Sequence, residues 1–387
     1  MQRHNAVVLG ASGLVAQRMQ QRLAHHPWFT LSAVVGSPRT AGTELASIPW
    51  NLEEKRPNLP PLVVLDAGDD NLVNQLKELG ITVAFSCIPS EAADPLELKL
   101  SSAGVAVFSN ASAFRRCDGV PLVIPDVNPE HMDQFDAHNH KLACATNCTL
   151  IPLAVPVAAL ADAFGVSAVR MNSEQALSGA GYSMVLDKRA LAGRHPSEIP
   201  GEAEKTAIEL IHVLGQTQQG RRAVGSESSS HREHAAFNEA GVHVVSAEVD
   251  VQVTCKRVTR VDGHQIFATV SLQEAASLEE VFTCFTSHGL SDALQTCPSA
   301  PSTSIQLVGA VDPEVHLWAD GLGFPIDPNP SVDLKAGMGV VVGSIKMLDS
   351  MTVEFSALSH NTIRGAAGGT MFLAEQAYIE QRLPKQQ

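Results

Sequence analysis

The stretch Gly10-Ala11-Ser12-Gly13-Leu14-Val15-Ala16 directly follows a short apolar run, Ala6-Val7-Val8-Leu9. The apolar run predicts a buried strand, and the pattern after the glycines predicts a helix. Small residues at such a turn let the backbone approach a phosphate group, which the N–H groups of the helix N-terminus can bind. We therefore interpret the turn as a dinucleotide site with an ordinary tight turn as the alternative, and its candidate contacts are Gly10, Ser12, Gly13, Leu14 and Val15.

The first third of the chain alternates β-rich runs with helical patterns. Beyond the first strand, further strands are predicted at 31–35, 61–65, 82–86 and 105–108, and helices at 14–26 and 71–79. Such an alternation is typical of a parallel sheet with helices on both faces. The fold class predicted here is α/β, with an N-terminal Rossmann-like, doubly wound parallel sheet.

The pattern changes after about residue 147. Predicted strands at 166–173, 241–254 and 265–272 have fewer helices between them, namely 202–214 and 277–289. This favours a second, α+β domain, and 387 residues are too many for one compact domain. A Gln-, Gly- and Ser-rich segment, 215–240, is predicted to be a surface connection, and 362–383 is predicted to be helical.

Composition narrows the class of protein. With 44% hydrophobic and 18% charged residues the chain can form a large core. Its net charge of −14 disfavours nucleic-acid binding, and no apolar stretch is long enough to span a membrane. The seven cysteines include no Cys-x-x-Cys pair, so we expect reduced thiols and a cytoplasmic protein. His231 and His234 lack an evident third ligand, so no metal site is predicted.

The end of the second predicted strand indicates which cofactor binds. An NAD site usually has an Asp or Glu there, but this chain has Gly36-Ser37-Pro38-Arg39-Thr40. Arg39 can pair with a 2′-phosphate, and Ser37 and Thr40 can donate hydroxyl hydrogen bonds to it. We infer NADP, with a solvated loop arginine as the alternative.

A candidate nucleophile lies in Thr146-Asn147-Cys148-Thr149, just before the apolar helical pattern 151–164. Asn or Thr can cap that helix. The positive end of the helix dipole would then lower the pKa of Cys148, and nearby N–H groups could form an oxyanion hole. The alternative is a buried structural cysteine.

Ordered motifs along most of the chain resemble those of aspartate-semialdehyde dehydrogenases, most closely the archaeal and fungal branch. The chain matches the glycine turn, with Ala16 in place of the last glycine, and the nucleophile motif, with Thr146 in place of proline. The other matching segments are Ser109-Asn110-Ala111-Ser112-Ala113-Phe114-Arg115, Val120-Pro121-Leu122-Val123, Gln175-Ala176-Leu177-Ser178-Gly179-Ala180-Gly181, Gly201-Glu202-Ala203-Glu204-Lys205, Arg257-Val258, Gly263-His264 and Ser359-His360-Asn361-Thr362-Ile363-Arg364-Gly365-Ala366-Ala367-Gly368.

The resemblance implies a role for each matching position. Cys148 would be the nucleophile and His264 the general acid/base, and Gln175 and Asn147 would complete the catalytic set. Substrate contacts would come from Arg115 and Lys205 to phosphate, Arg257 to the α-carboxylate, Glu202 to the amino group, and Ser178 and Gly179. Cofactor contacts would also include Ser86, Asn361 and Gly365. Glu202 and Lys205 could instead form an ordinary surface ion pair.

The resemblance also implies domains and a reaction. Residues 1–147 would form the NADP-binding domain, completed by a C-terminal helix within 361–387, and residues 148–360 the catalytic and dimerisation domain. The reaction would be the NADPH-dependent reductive dephosphorylation of L-aspartyl 4-phosphate to L-aspartate 4-semialdehyde through a thioacyl enzyme. Departures such as Thr146 and Ala203 keep two alternatives open: an acyl-CoA reductase, for example of malonyl-CoA, and a silent nucleotide-binding paralogue. The expected partners are this small-molecule substrate, inorganic phosphate and further copies of the chain, as a homodimer or homotetramer.

Overall fold

The computed structural model describes residues 3–136, 139–219, 237 and 241–385. The N-terminal part is a six-stranded sheet in which every neighbouring pair is parallel and the strand order is 3-2-1-4-5-6. Its strands are β1 (His4–Leu9), β2 (Phe29–Gly36), β3 (Leu65–Asp66), β4 (Ile81–Ser86), β5 (Ala106–Ser109) and β6 (Leu142–Cys144). The strand order reverses beside β1, which is the position where a doubly wound sheet binds its ligand. The predicted α/β class is confirmed.

A second six-stranded sheet is mixed and has the strand order 10-7-11-14-13-12. Its strands are β7 (Val166–Gln175), β10 (Asp250–Arg257), β11 (His264–Leu272), β12 (Ile305–Leu307), β13 (Val340–Asp349) and β14 (Thr352–Ser359). Strand β10 runs parallel to β7, whereas β11 runs antiparallel to it. A separate hairpin pairs β8 (Gln216–Gln219) with β9 (Val242–Val245).

The helices connect the strands and cover the sheets. They are α1 (Leu14–Leu23), α2 (Leu72–Glu78), α3 (Ser90–Ser102), α4 (Ile151–Phe164), α5 (Tyr182–Val185), α6 (Lys188–Leu191), α7 (Glu202–Val213), α8 (Leu278–Ser287), α9 (Asp292–Gln295), α10 (Pro313–His316) and α11 (Gly368–Ile379). In the described part of the chain, no helix is both long and apolar enough to cross a membrane.

The C-terminal segment returns to the first sheet. It begins with a turn of π-helix, Ile363–Ala367, rather than with the regular helix predicted from residue 362, and α11 ends at Ile379. Side chains of α11, including Met371 and Leu373, share an apolar core with Val8 and Phe85 of the first sheet. This packing brings the residues just before α11 close to the nucleotide turn.

Two strand predictions were wrong. The predicted third strand at 61–65 pairs with β2 only at Leu65–Asp66, because the residues before it bond to the segment 42–45 instead, with an isolated antiparallel bridge between Val63 and Glu44. The predicted strand at 241–254 is two strands in two different sheets, separated where the Ala247 amide donates to the Ile211 carbonyl.

The predicted surface connection, 215–240, begins with the largely exposed strand β8. Most of its remainder lies outside the described residues, as do His231 and His234, whereas Phe237 is described and buried.

Candidate active site

The glycine turn is built for close packing around Gly10. This residue has a φ of +111°, and its amide donates to the Val35 carbonyl at the end of β2 (2.7 Å). A Cβ atom at this position would lie 3.1 Å from the Cys87 carbonyl oxygen and 3.2 Å from the Ala16 Cβ. Only glycine adopts this conformation without strain, and the small Ala16 side chain lets α1 lie against it.

The start of α1 is open to a ligand. Ser12 and Gly13 are exposed, and no side chain caps the helix. The first-turn amides of a helix have no partner within the helix, so they are available to an anion together with the positive end of the helix dipole. Leu14 is buried, and Val15 lines the adjacent cleft. The residues of the turn therefore fit a bound pyrophosphate.

The loop after β2 presents Ser37, Arg39 and Thr40 as predicted. Ser37 and Arg39 are exposed, and Thr40 is held by hydrogen bonds from its amide and hydroxyl groups to the Ser37 carbonyl (2.8 and 3.1 Å). Arg39 takes part in none of the ion pairs of the described residues. Its guanidinium is therefore available to a phosphate group.

Cys148 lies in the turn that precedes α4. The Asn147 side chain shapes this turn, because its Oδ1 accepts a hydrogen bond from the Leu150 amide (2.9 Å). The Cys148 sulfur lies 3.2 Å from the Nε2 atom of His264, which is distant in sequence. The predicted nucleophile and general base are thus in direct contact.

The predicted lowering of the Cys148 pKa was wrong. Burial raises the pKa of this thiol to about 12, and the negative charge of Glu202 adds to the increase, whereas Arg115 and Arg257 oppose it. Desolvation disfavours a charged sulfur more strongly than nearby helix dipoles favour it here. A pKa this high favours a thiol at Cys148 over a preformed thiolate at neutral pH.

The pKa of His264 favours its neutral form. Burial lowers its pKa to about 3, with further lowering by Arg257 and Arg260. Its Nδ1 atom accepts a hydrogen bond from the Ala176 amide (3.2 Å). Because Nδ1 accepts this bond, the neutral ring carries its hydrogen on Nε2, which faces the Cys148 sulfur. The other neutral tautomer, with its hydrogen on Nδ1, can take the thiol proton while the sulfur attacks an electrophile.

One edge of the second sheet gathers the catalytic side chains. Gln175 and Arg257 end the parallel strands β7 and β10 as register partners, and His264 begins the antiparallel strand β11 beside them. Because β11 runs in the opposite direction, its first residue lies at the same edge as the last residues of its neighbours. The topology thus brings together three residues that are far apart in sequence.

Two motif segments close around this edge. A Cβ atom at Gly179 would lie 3.0 Å from the Arg257 Nη1 atom and 3.1 Å from the His264 Nε2 atom, so the backbone passes tightly over both side chains. Asn361 donates to the Ser178 hydroxyl and accepts from the Gly263 amide (both 2.8 Å). Asn361 therefore links the C-terminal segment to the loops around His264.

Gly365 lies directly against the nucleophile. A Cβ atom at this position would be 2.7 Å from the Cys148 Cβ and 2.9 Å from its Cα. Any side chain here would displace the turn that holds the sulfur. The requirement for glycine at 365 therefore comes from the nucleophile rather than from its own backbone conformation.

Helix α7 presents Glu202 and Lys205 to the site. The Glu202 Oε1 atom accepts from the Thr149 hydroxyl (3.2 Å) and lies 3.5 Å from the Gln175 Nε2 atom. No ion pair joins Glu202 to Lys205 among the described residues, so the surface-pair alternative is wrong. Arg115 faces the same space and donates to the Asn110 carbonyl (2.6 Å).

A cleft of about 310 Å³ contains much of the predicted site. Predicted residues that line it are Val15, Arg115, Asn147, Cys148, Ser178, Gly179, Glu202, Lys205, Asn361 and Gly365. A larger cavity of about 430 Å³ lies elsewhere, beside Trp318, and contains no predicted site residue. We take the smaller cleft as the candidate site, because it contains the nucleophile.

Some predicted residues lie outside the cleft wall, and others in it were missed. Ser86 is fully buried at the end of β4, and the Ser37–Thr40 loop does not line this cleft. Three further predicted residues are buried and also do not line it: Gln175, Arg257 and His264. Ser90 and Ser112 were missed; they line the cleft with their hydroxyl oxygens 2.8 Å apart. Ser90 follows the carboxyl end of β4, a position at which doubly wound sheets bind ligands, and this signal could have identified it.

Comparison with known proteins agrees with this geometry. Residues 5–135 match the family model described as semialdehyde dehydrogenase, NAD binding domain, and residues 157–364 match semialdehyde dehydrogenase, dimerisation domain. The aspartate-semialdehyde dehydrogenase of Archaeoglobus fulgidus is 32% identical over 96% of this chain and 97% of its own. That of Saccharomyces cerevisiae is 30% identical over 96% of each chain.

The solved structure of aspartate semialdehyde dehydrogenase with NADP from Candida albicans has a TM-score of 0.74 and 28% sequence identity, and the match covers 98% of this chain and 99% of that one. Aspartate semialdehyde dehydrogenase II from Vibrio cholerae, at 19% identity and a TM-score of 0.66, shares the fold. The chain belongs to the aspartate-semialdehyde dehydrogenase family.

Proposed function

We propose that this protein catalyses the NADPH-dependent reductive dephosphorylation of L-aspartyl 4-phosphate to L-aspartate 4-semialdehyde, a reversible step toward lysine, threonine and methionine. The single observation that carries the proposal is the 3.2 Å contact between the His264 imidazole and the sulfur of Cys148, which lines a cleft together with Arg115, Glu202 and Lys205. Full-length relatives named for this activity support it.

Acylation uses the Cys148–His264 pair. The step requires the His264 tautomer with its hydrogen on Nδ1, so the bond from the Ala176 amide to that atom opens and Nε2 becomes free. As the sulfur attacks the acyl carbon, its proton passes to this Nε2 atom, and the carbon–oxygen bond to phosphate breaks. The products are a thioester on Cys148 and free phosphate. The two nearby cations, Arg115 and Lys205, stabilise the charge on the departing phosphate.

Reduction then releases the aldehyde. Bound NADPH supplies a hydride to the thioester carbonyl carbon. The resulting oxyanion collapses, the carbon–sulfur bond breaks, and the sulfur recovers its proton from His264. Gln175, buried beside Glu202, orients the acyl group during both steps.

Charge complementarity selects the substrate. Glu202 is proposed to bind the amino group at the cleft wall that Ser178 and Gly179 also form, and Arg257, which lies against Gly179, is proposed to bind the α-carboxylate. Arg115 has donors to spare for phosphate, because a guanidinium has five N–H groups and its hydrogen bonds within the described residues are to Asn110 and Glu209. Asn147, whose side-chain amide is bonded to Glu209 and to the Leu150 amide, positions the Cys148 turn.

The cofactor is NADP. The open first turn of α1 would hold its pyrophosphate, and the unpaired Arg39 with Ser37 and Thr40 would hold the 2′-phosphate. The remaining proposed contacts are Gly10, Ser12, Gly13, Leu14, Val15, Ser86, Asn361 and Gly365. Ser86, whose side chain is buried, would contribute through the strand end that it forms.

We also propose the domain division at residues 1–147 and 148–360, with the C-terminal segment 361–387 completing the first domain. The match to a dimerisation domain supports assembly with further copies of the chain, as a homodimer or homotetramer. Seven cysteines without a disulfide among the described residues fit a cytoplasmic enzyme.

An assay in the oxidative direction tests the proposal. Purified protein with aspartate semialdehyde, phosphate and NADP should produce NADPH, which is followed by absorbance at the nicotinamide wavelength. Activity only when CoA replaces phosphate would indicate the acyl-CoA reductase instead. NADP binding without turnover with either acceptor would indicate the silent paralogue.

A further inference from the structure

A buried carboxylate with no role in the mechanism above lies below the cleft. Glu209, on α7, is only 2% exposed, although it is one turn beyond Lys205 on the same helix. Buried carboxylates are costly unless they are paired and hydrogen-bonded. Its partners therefore indicate what the residue is for.

One oxygen of Glu209 holds the nucleophile turn. Its Oε2 atom accepts from the Asn147 backbone amide (2.7 Å) and from the Asn147 side-chain amide (3.0 Å). Asn147 directly precedes Cys148, and its Oδ1 atom accepts from the Leu150 amide on the other side. This acceptor therefore helps to hold the turn that carries the sulfur.

The other oxygen faces the phosphate site. The Glu209 Oε1 atom lies 3.5 Å from the Arg115 Nη1 atom, and both side chains are mostly buried. The described residues give Arg115 no other carboxylate partner. Burial raises the pKa of Glu209, whereas Arg115 and the bonds from Asn147 favour its ionised form. An ionised carboxylate so close to Arg115 balances its charge and weakens its attraction for a phosphate dianion.

We propose that Glu209 is a positioning residue that anchors the Cys148 turn with one oxygen and moderates the phosphate affinity of Arg115 with the other. Its first action keeps the sulfur in place for attack. Its second action lets inorganic phosphate leave after acylation. The inference rests on the proposed function, because it takes Arg115 as the phosphate-binding group.

The two actions are separable with Glu209→Gln. The substituted amide oxygen can still accept from Asn147, whereas the charge beside Arg115 is lost. The rate of iodoacetamide alkylation is measured on the peptide that contains Cys148, with inorganic phosphate added in increasing amounts. Phosphate in the cleft protects the sulfur, so the half-protecting concentration reports phosphate affinity.

We expect Glu209→Gln to be alkylated without phosphate within about threefold of the wild-type rate, and to be protected at a phosphate concentration about fivefold lower. A role in folding alone would not tighten phosphate binding. Glu204→Gln, on the exposed face of the same helix, is the control and should match wild type in both measurements. A half-protecting concentration equal to or above that of wild type would overturn the proposal.

Two further variants complete the test. Glu209→Leu removes the acceptor for Asn147, and its alkylation rate should differ from wild type by more than tenfold; an unchanged rate would overturn the anchoring role. Arg115→Ala should need far more phosphate for protection. If it does not, the phosphate site of the proposed function is wrong; if it does while Glu209→Gln behaves as wild type, only this inference fails.

Discussion

Two regions of the molecule differ in how their polar groups are used. The nucleotide edge of the first sheet carries the glycine turn after β1 and the loop Ser37–Thr40 after β2. The catalytic edge of the second sheet is the edge at which Gln175, Arg257 and His264 meet. At the nucleotide edge, Ser12 and Arg39 are exposed and accessible to a ligand. At the catalytic edge, Gln175, His264 and Asn361 are buried and already bonded to other protein groups. The first site is completed by its cofactor, whereas the second is assembled by the protein beforehand.

This comparison predicts that changes at the catalytic edge damage chemistry and that changes at the nucleotide edge damage binding. The largest effect is expected from Cys148→Ala, which should lower turnover by about 10⁴-fold or more, because no other group can hold the acyl chain. NADPH affinity, measured by fluorescence titration, should stay within about twofold. Appreciable residual turnover would contradict the thioacyl route.

Gly365→Ala sharpens the comparison, because Gly365 touches both regions. The added Cβ would meet the Cys148 Cβ at 2.7 Å and push the sulfur away from His264. We expect kcat to fall about 100-fold with a smaller change in NADPH affinity. Gly309→Ala, where nothing lies within 4 Å, is the matched control. Equal kcat in the two variants would show that the tight contact is unimportant.

Arg39→Glu tests the nucleotide edge alone. Losing a charge-assisted contact costs about 1.5–3 kcal/mol, so the KM for NADPH should rise about 10- to 100-fold while kcat changes little. Lys77→Glu, an exposed charge reversal on α2, should leave both constants unchanged. If Arg39→Glu binds NADPH as wild type does, the 2′-phosphate is held elsewhere.

The smallest effects concern protonation. The pKa of Cys148 is about 12. At pH values well below this, the thiolate fraction increases tenfold for each unit by which the pH is raised. Alkylation of Cys148 in the free enzyme should therefore increase about tenfold per unit from pH 7 to 9. Glu202→Gln removes a charge that raises this pKa and should speed alkylation a few-fold at fixed pH. A rate that is already constant across neutral pH would indicate a preformed thiolate.

Much of the fold and the chemistry could be predicted from the sequence. Alternation of strands and helices predicted the doubly wound sheet, and short motifs identified Cys148 and His264, which the structure brings into contact. Both the strand–helix alternation and the short motifs are patterns of neighbouring residues, so they can be recognised without knowing which remote segments come into contact. The β-propensity of the residues predicted one long strand at 241–254. The segment is two strands because β9 pairs with β8 whereas β10 pairs with β7, and the sequence does not show these partners.

The missed features depend on distances between remote segments. Gly365 could be matched to a motif, but its contact with the Cys148 Cβ arises only when the C-terminal segment folds back. The pKa of Cys148 was predicted in the wrong direction, because sequence shows a helix start but not the degree of burial. Glu209 resembles any helix glutamate until the turn at Asn147 is placed against it.

The neutral thiol–imidazole pair has a consequence for the resting enzyme in the cell. Peroxides and reactive metabolites attack ionised sulfur far faster than protonated sulfur. A Cys148 that keeps its proton until an acyl donor arrives is spared from such damage between turnovers. Burial thus protects the Cys148 sulfur from oxidation and alkylation, and the sulfur becomes strongly nucleophilic only when the substrate is bound.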